Sequence, residues 1–340
     1  MNATPRITCF GEILLRFNTQ MGLRFIQSAA LNIHVAGAEA NVSVLLARLG
    51  LDSRMVSRVP DNDLAEMAIS ELRKYGVNTS GITKGGERMG TYYVENGNHI
   101  RPTQVIYDRS GSSFSQLKPG MIDWLNQLEG TTLFHWSGIA AALSASASAV
   151  CKEAIECAHG KGITISADFN YRRKLWNYGE EAKEVMPELL RYCKVAVADL
   201  DSVAIYFGIK ADEGLSLTAR FEHCYAALKD KMPLLQTFAM SFRMVEGLNH
   251  TYFAGLAHEG AFYYSSIHTL PLVTDQIGTG DAFTAGLLYG LSSGFSPEKM
   301  INWAAACGVM KQSVHGDWAL ISNSEIESFM KSGISSKINR

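Results

Sequence analysis

The sequence predicts an α/β protein of three layers, with a mostly parallel central sheet between helices and a small second sheet projecting from it. Three observations carry this. Short apolar strand patterns alternate with helix-spaced segments along most of the 340 residues, as in parallel sheets joined by crossover helices. One β-hairpin pattern interrupts that alternation. A chain that is 47% hydrophobic and 19% charged can bury a large core.

Ile7 to Gly11 reads as a first buried strand. Glu12 to Ile33 mixes polar and apolar residues without helical period, and predicts short exposed strands. Gly37-Ala-Glu-Ala-Asn41 leads into a helical pattern that Gly50 stops. Arg54–Val59 is a strand and Asp63–Tyr75 a helix ending at Gly76. Gly90–Glu95, the turn Asn96-Gly97-Asn98 and Arg101–Tyr107 then predict a hairpin. The projecting sheet is therefore assigned to about 12–35 and 88–112. Further on, strands are expected at Thr132–Trp136, Thr164–Asp168, Val195–Ala198, Leu235–Met240 and Tyr252–Ala257. Helices are expected at Ser146–His159, Glu180–Tyr192, Ser216–Lys229, Asp281–Leu291 and Pro297–Gln312. One catalytic domain over 1–330 and a tail at 331–340 is the expected organisation.

Composition excludes several classes. The formal net charge is -2 and no long basic run occurs, so no footprint for nucleic acid is expected. The six cysteines form no C-x-x-C pair, which argues for buried thiols in a reducing compartment and against zinc. No apolar run is long enough to cross a membrane. Met1 to Arg6 carries no apolar signal segment. A cytoplasmic protein is the expectation.

The chemistry concentrates at Asp275-Gln-Ile-Gly-Thr-Gly-Asp281, which runs into the helical segment Ala282 to Leu291. Gly278 and Gly280 let backbone N–H groups turn inward on a bulky anion. The positive end of the helix dipole lies at the same place. Asp281 cannot bind the anion itself. It stands where a general base would accept the proton of an alcohol attacking a bound phosphate. An aspartate that merely caps the helix is the competing reading of this motif alone.

Gly37-Ala-Glu-Ala-Asn41 and Gly278-Thr-Gly-Asp281, in this order and widely separated, resemble the two signature regions of the ribokinase-like (PfkB) sugar kinases. The resemblance runs from Cys9 to about Met330, with the projecting hairpin looking like the family's lid. It implies the ribokinase-like fold, with ATP and Mg2+ as cofactors, the N–H groups of Gly278, Thr279 and Gly280 as an anion hole, and Asp281 as base. Within the family, three segments resemble the 2-keto-3-deoxygluconate kinases: Gly11-Glu-Ile-Leu-Leu-Arg16, Tyr107-Asp-Arg109, and Asp168-Phe-Asn-Tyr-Arg172 with Leu175-Trp176. The resemblance places Tyr107, Arg109 and Arg172 on the substrate or the phosphates. Arginine suits a sugar acid, whose carboxylate it can grip with two parallel bonds. Gly37, Asn41 and Tyr92 complete the expected sugar site. Asn41 as a helix cap and the arginines as solvated charges are the plainer alternatives.

Ser241, Arg243 and Gly247 are expected near ATP, together with Gly278 and Gly280. The magnesium segment departs from the family pattern. It reads Asp199-Leu-Asp-Ser202, so Asp199, Asp201 and Asp275 are the candidate acids. A monovalent cation beside Asp275 is left open. Val314-His-Gly-Asp317 also departs, standing where Pro-Gly-Asp is usual. Lid aromatics such as Tyr93 and Phe114 suggest a homo-oligomer. A neutral-sugar kinase of fructokinase or ribokinase type, and a non-catalytic sugar-binding regulator on the same scaffold, are the alternatives.

Overall fold

A computed structural model describes residues 4–97, 101–246, 249–271 and 273–333. Gly247, Asn98 of the expected turn and the tail from residue 334 onward lie outside them.

The main sheet has ten strands among the described residues. Seven run parallel. In spatial order they are β11 (Thr237–Glu246), β10 (Val195–Val197), β9 (Thr164–Asp168), β8 (Thr131–Ser137), β1 (Arg6–Phe10), β4 (Asp52–Val59) and β5 (Asn78–Lys84). At one edge β12 (Asn249–His258) pairs antiparallel with β11, and carries β13 (Ala261–Tyr264) and β14 (His268–Leu270). Central strands such as β1 and β10 are apolar nearly throughout because both faces are covered. Two clusters of buried side chains lie against the sheet. One contains Leu45, Phe283, Leu287, Trp303 and Ala304, and the other Trp136, Phe169, Leu190, Tyr206 and Phe238.

The lid is a separate sheet in the order β3 (Asn32–Ala36), β2 (Leu14–Asn18), β6 (Gly90–Glu95), β7 (Gln104–Asp108). All four strands come from the two segments expected to form it, with Ala36 one residue beyond. Register gives its two faces different chemistry. His34, Arg16, Tyr92 and Tyr107 lie opposite one another in one row. The next row on the other face is Ile33, Phe17, Tyr93 and Ile106.

Differences from expectation have local causes. β11 and β12 run ten residues each, past the expected Met240 and Tyr252, because they pair as one long hairpin. β5, β13 and β14 were not expected; they are short or edge strands with little apolar pattern. The helix Leu200–Phe207 was also unexpected; Asp199 caps it by accepting from the Ser202 N–H. Phe114 is not a lid residue at all. It is 1% exposed and packs on Phe10 at 5.2 Å in the body.

Candidate active site

The helix Thr279–Ser292 opens at Gly278, which has φ 83°. That left-handed turn suits glycine, and a Cβ there would run into the backbone carbonyl of Asp317. Thr279 spends its N–H on the Gln276 carbonyl at 3.3 Å, and its hydroxyl on the same oxygen at 2.8 Å. Among the described residues no acceptor meets the N–H groups of Gly278, Gly280 or Asp281. A side chain at Gly280 would point into open space. This is an anion site made of backbone. The expected Thr279 N–H is replaced in it by that of Asp281.

Asp281 does not cap its helix with its side chain. Its Oδ2 accepts from Asn41 Nδ2 at 2.6 Å. Asn41 is not a cap either; it lies inside the helix Ala38–Arg48, whose N-cap is Gly37. Gly37 has φ 141°, and a Cβ there would meet the Glu12 carbonyl. The two glycine-led helix openings thus converge through one hydrogen bond spanning 240 residues. Burial pushes the Asp281 carboxyl up to about 6, while Asn41 and the Arg172 charge pull it down.

Other acids crowd the same region. Asp168, at the end of β9, accepts from the Thr284 hydroxyl at 3.2 Å. Burial, then the charges of Asp281 and Asp199, push it up to about 7. Glu39 is 1% exposed, accepts from the Ser137 hydroxyl at 2.5 Å, and is pushed up to about 7 by burial. A side chain at Gly11 would occupy its carboxyl. Glu39 and Ser137 were not expected from sequence; a lone Glu within a helix gives no signal.

Arg172 is exposed, and its Nη1 donates to the Tyr171 carbonyl at 3.0 Å. Asn170 takes a left-handed turn just before it, with φ 39°. The Arg172 charge reaches both Asp168 and Asp281. With Tyr171, Asp199 and Asp201 it lines a surface pocket of about 340 Å³. Arg109 is placed differently. It is 7% exposed and its Nε donates to Glu12 Oε2 at 2.6 Å, so it is held inside the lid junction rather than offered to solvent. Tyr92, expected on the sugar, is buried and its hydroxyl donates to Asp317 Oδ1. Tyr107 packs beside it, with ring centroids 6.3 Å apart.

Beneath the Gly278 turn lies a buried charge network. Arg16 Nη2 reaches Asp275 at 2.9 Å and Nη1 reaches Asp317 at 3.0 Å. Asp275 also accepts from the Ile277 and Gly316 N–H groups. Both its oxygens thus already have partners. Asp199 and Asp201 are exposed at the pocket, and Asp199 is the capping residue already described. Among the described residues no group of three or more His, Cys, Asp or Glu could hold a metal ion. Ser241 sits partly buried on β11, and Arg243 is exposed near the end of that strand.

The likeness to known proteins covers nearly the whole chain. It is 31% identical to a 2-dehydro-3-deoxygalactonokinase of Haloferax volcanii, over 97% of this chain and 98% of that protein. It is 26% identical to a 2-dehydro-3-deoxygluconokinase of Thermoproteus tenax, over 96% and 94%. The crystal structure of a 2-dehydro-3-deoxygluconokinase from Thermotoga maritima superposes with a TM-score of 0.92 at 33% identity, over 96% and 100%. The family profile described as pfkB family carbohydrate kinase matches residues 5–322. With the paired glycine-led helix openings and Asp281 between them, the chain belongs to the pfkB family of carbohydrate kinases.

Proposed function

We propose that this kinase transfers the terminal phosphoryl group of ATP to the primary 6-hydroxyl of a 2-keto-3-deoxy sugar acid, with 2-keto-3-deoxygluconate first and its galactonate epimer second. One observation carries the reading: a helix N-terminus whose three N–H groups meet no acceptor among the described residues stands beside a carboxylate hydrogen-bonded by Asn41.

The chemistry follows from that arrangement. Asp281 accepts the hydroxyl proton as the sugar oxygen bonds to the terminal phosphorus and the bond to the leaving oxygen of ADP breaks. The N–H groups of Gly278, Gly280 and Asp281 hold the charge that develops on the phosphates. Magnesium, bound with the nucleotide, would neutralise phosphate charge; it takes one or two carboxylates plus phosphates and water. Asp168 and Asp199 are the carboxylates this reading offers to it; burial, then the charges of Asp281 and Asp199, push the Asp168 carboxyl up to about 7, and a cation beside it would offset that. Gly37 lets backbone approach the sugar, and Tyr107 flanks it. Ser241 and Arg243, on β11, are the residues this reading assigns to the nucleotide.

The sugar-acid choice rests on Arg172, an exposed cation that lines the pocket with Asp199 and whose charge is felt at Asp281. Arg109 is bound to Glu12 and is not given the carboxylate. Arg172→Ala is expected to raise KM for a keto-deoxy acid by about tenfold to a hundredfold, the worth of a charged hydrogen bond, and to leave fructose, if it is turned over at all, unaffected. Equal effects on acid and neutral sugars would remove Arg172 from carboxylate recognition. Assembly through the lid is part of the same reading, because Ile33 and Ile106 end its apolar row half-exposed, at 49% and 55%.

A further inference from the structure

Lys311 ends the helix Pro297–Lys311, yet its side chain does not leave the protein; it is 0% exposed. Its Nζ donates to the backbone carbonyls of Val314, at 3.0 Å, and Asp275, at 3.3 Å. Its Cε lies 3.2 Å from where a Cβ of Gly278 would stand. The stem therefore passes directly under the turn that opens the anion site. Burial of an ammonium is costly unless it is compensated. Here two carbonyl oxygens and the nearby Asp275 and Asp317 carboxylates supply the compensation. Those carboxylates share Arg16, which balances one of their two negative charges, and the lysine balances the other.

Converging carbonyl oxygens beside a carboxylate form the kind of place that binds a monovalent cation. In this chain that place is filled from within. We propose that the Lys311 ammonium is a built-in cation of the phosphoryl-transfer site, standing where a free monovalent ion would otherwise bind, so that the anion hole needs no such ion. It touches neither substrate and acts by position. Its charge holds the Asp275 and Val314 carbonyls, fixes the turn at Gly278, and adds positive potential behind the three uncommitted N–H groups. The sequence left a cation beside Asp275 open; the geometry points to Lys311 in that role. The inference rests on the kinase reading of this site, though not on which sugar is used.

The test compares the wild type, Lys311→Ala and Lys311→Met in potassium, ammonium, sodium and tetramethylammonium chloride at one ionic strength. Turnover of Mg-ATP with the accepted sugar and the melting temperature are both read. Wild type is expected to be indifferent to the ion in both measurements. Lys311→Ala should lose at least about tenfold in kcat, and recover part of it in potassium or ammonium but not in tetramethylammonium. Its melting temperature should rise with potassium, since an ion that binds the folded state stabilises it. Lys311→Met keeps most of the stem, so its loss should not be rescued. Several-fold activation of wild type by potassium would overturn the proposal, and this holds even if neither variant folds. A folded Lys311→Ala with full activity, or with a loss no ion restores, would also overturn it. If no sugar is turned over, the substrate reading fails, while the ion dependence of melting still decides this one.

Discussion

The bond from Asn41 to Asp281 bears on when the proposed reaction can run. In that proposal Asp281 is the base, and it serves only when deprotonated. Its carboxyl is pushed up to about 6, chiefly by burial. Activity is thus lost on the acid side: kcat/KM should climb as pH rises through about 6 and level off above it. Asn41 donates to the charged form and holds the value down. Asn41→Ala should move the acid limb upward by about one pH unit, the equivalent of about 1.4 kcal/mol. Asp281→Asn should cut kcat by at least about 10²–10⁴-fold with the fold intact. A pH–rate profile of the three proteins checks this. An unmoved limb in Asn41→Ala would separate the hydrogen bond from the titration. At this scale the sequence was half legible. Motifs marked Asp281, Asn41 and Gly37. They could not show that Arg109 meets Glu12, 97 positions away, or that Tyr92 meets Asp317, 225 away. Lys311 was invisible for another reason: a lysine closing an apolar helix reads as a surface cation on the helix dipole.

Among the elements, the two glycines of the anion site answer to different constraints. Gly278 is required by its backbone, because φ is 83° and the Asp317 carbonyl blocks a side chain. Gly278→Ala should lower stability by at least about 1–2 kcal/mol from the left-handed conformation alone. Gly280 is in the first turn of the helix with open space beyond it. Gly280→Ala should keep or slightly raise the melting temperature and still lower kcat, because the methyl group intrudes where phosphate belongs. Thermal melts beside turnover separate the two. Equal loss of stability in both variants would mean that the turn is uniformly structural. Strand periodicity located the central parallel strands within a few residues, because their buried positions are mostly apolar, but it missed the parallel edge strand β5 (Asn78–Lys84). It gave little for β2, whose Arg16 and Asn18 are polar and fully buried. Arg16 is inside because Asp275 and Asp317 meet it there, which only the tertiary fold reveals.

Across the whole molecule, the lid and body meet through that same network. β2 supplies Arg16 and β6 supplies Tyr92, while the body supplies Asp275 and Asp317. The lid's position is thereby tied to the loop that opens the anion site. Its other face presents Ile33, Phe17, Tyr93 and Ile106 in one row. Ile26 adds a side chain 93% exposed on the same lid segment. Such a surface favours a second copy of the chain. Gel filtration at micromolar concentration should give a dimer or larger, and Ile33→Glu should shift it toward monomer; a wild-type monomer contradicts this. The fold class and the lid segments were legible in the alternation of patterns and its single interruption. The oligomer surface was misassigned to Phe114, because an apolar residue near a hairpin gives no hint that it turns into the body core. The central claim is tested most directly by ADP release with Mg-ATP against 2-keto-3-deoxygluconate, 2-keto-3-deoxygalactonate, gluconate, fructose and ribose, with Asp281→Asn alongside. The account predicts turnover confined to the keto-deoxy acids and abolished in the variant. Turnover of fructose or ribose alone, or an undiminished Asp281→Asn, would contradict it.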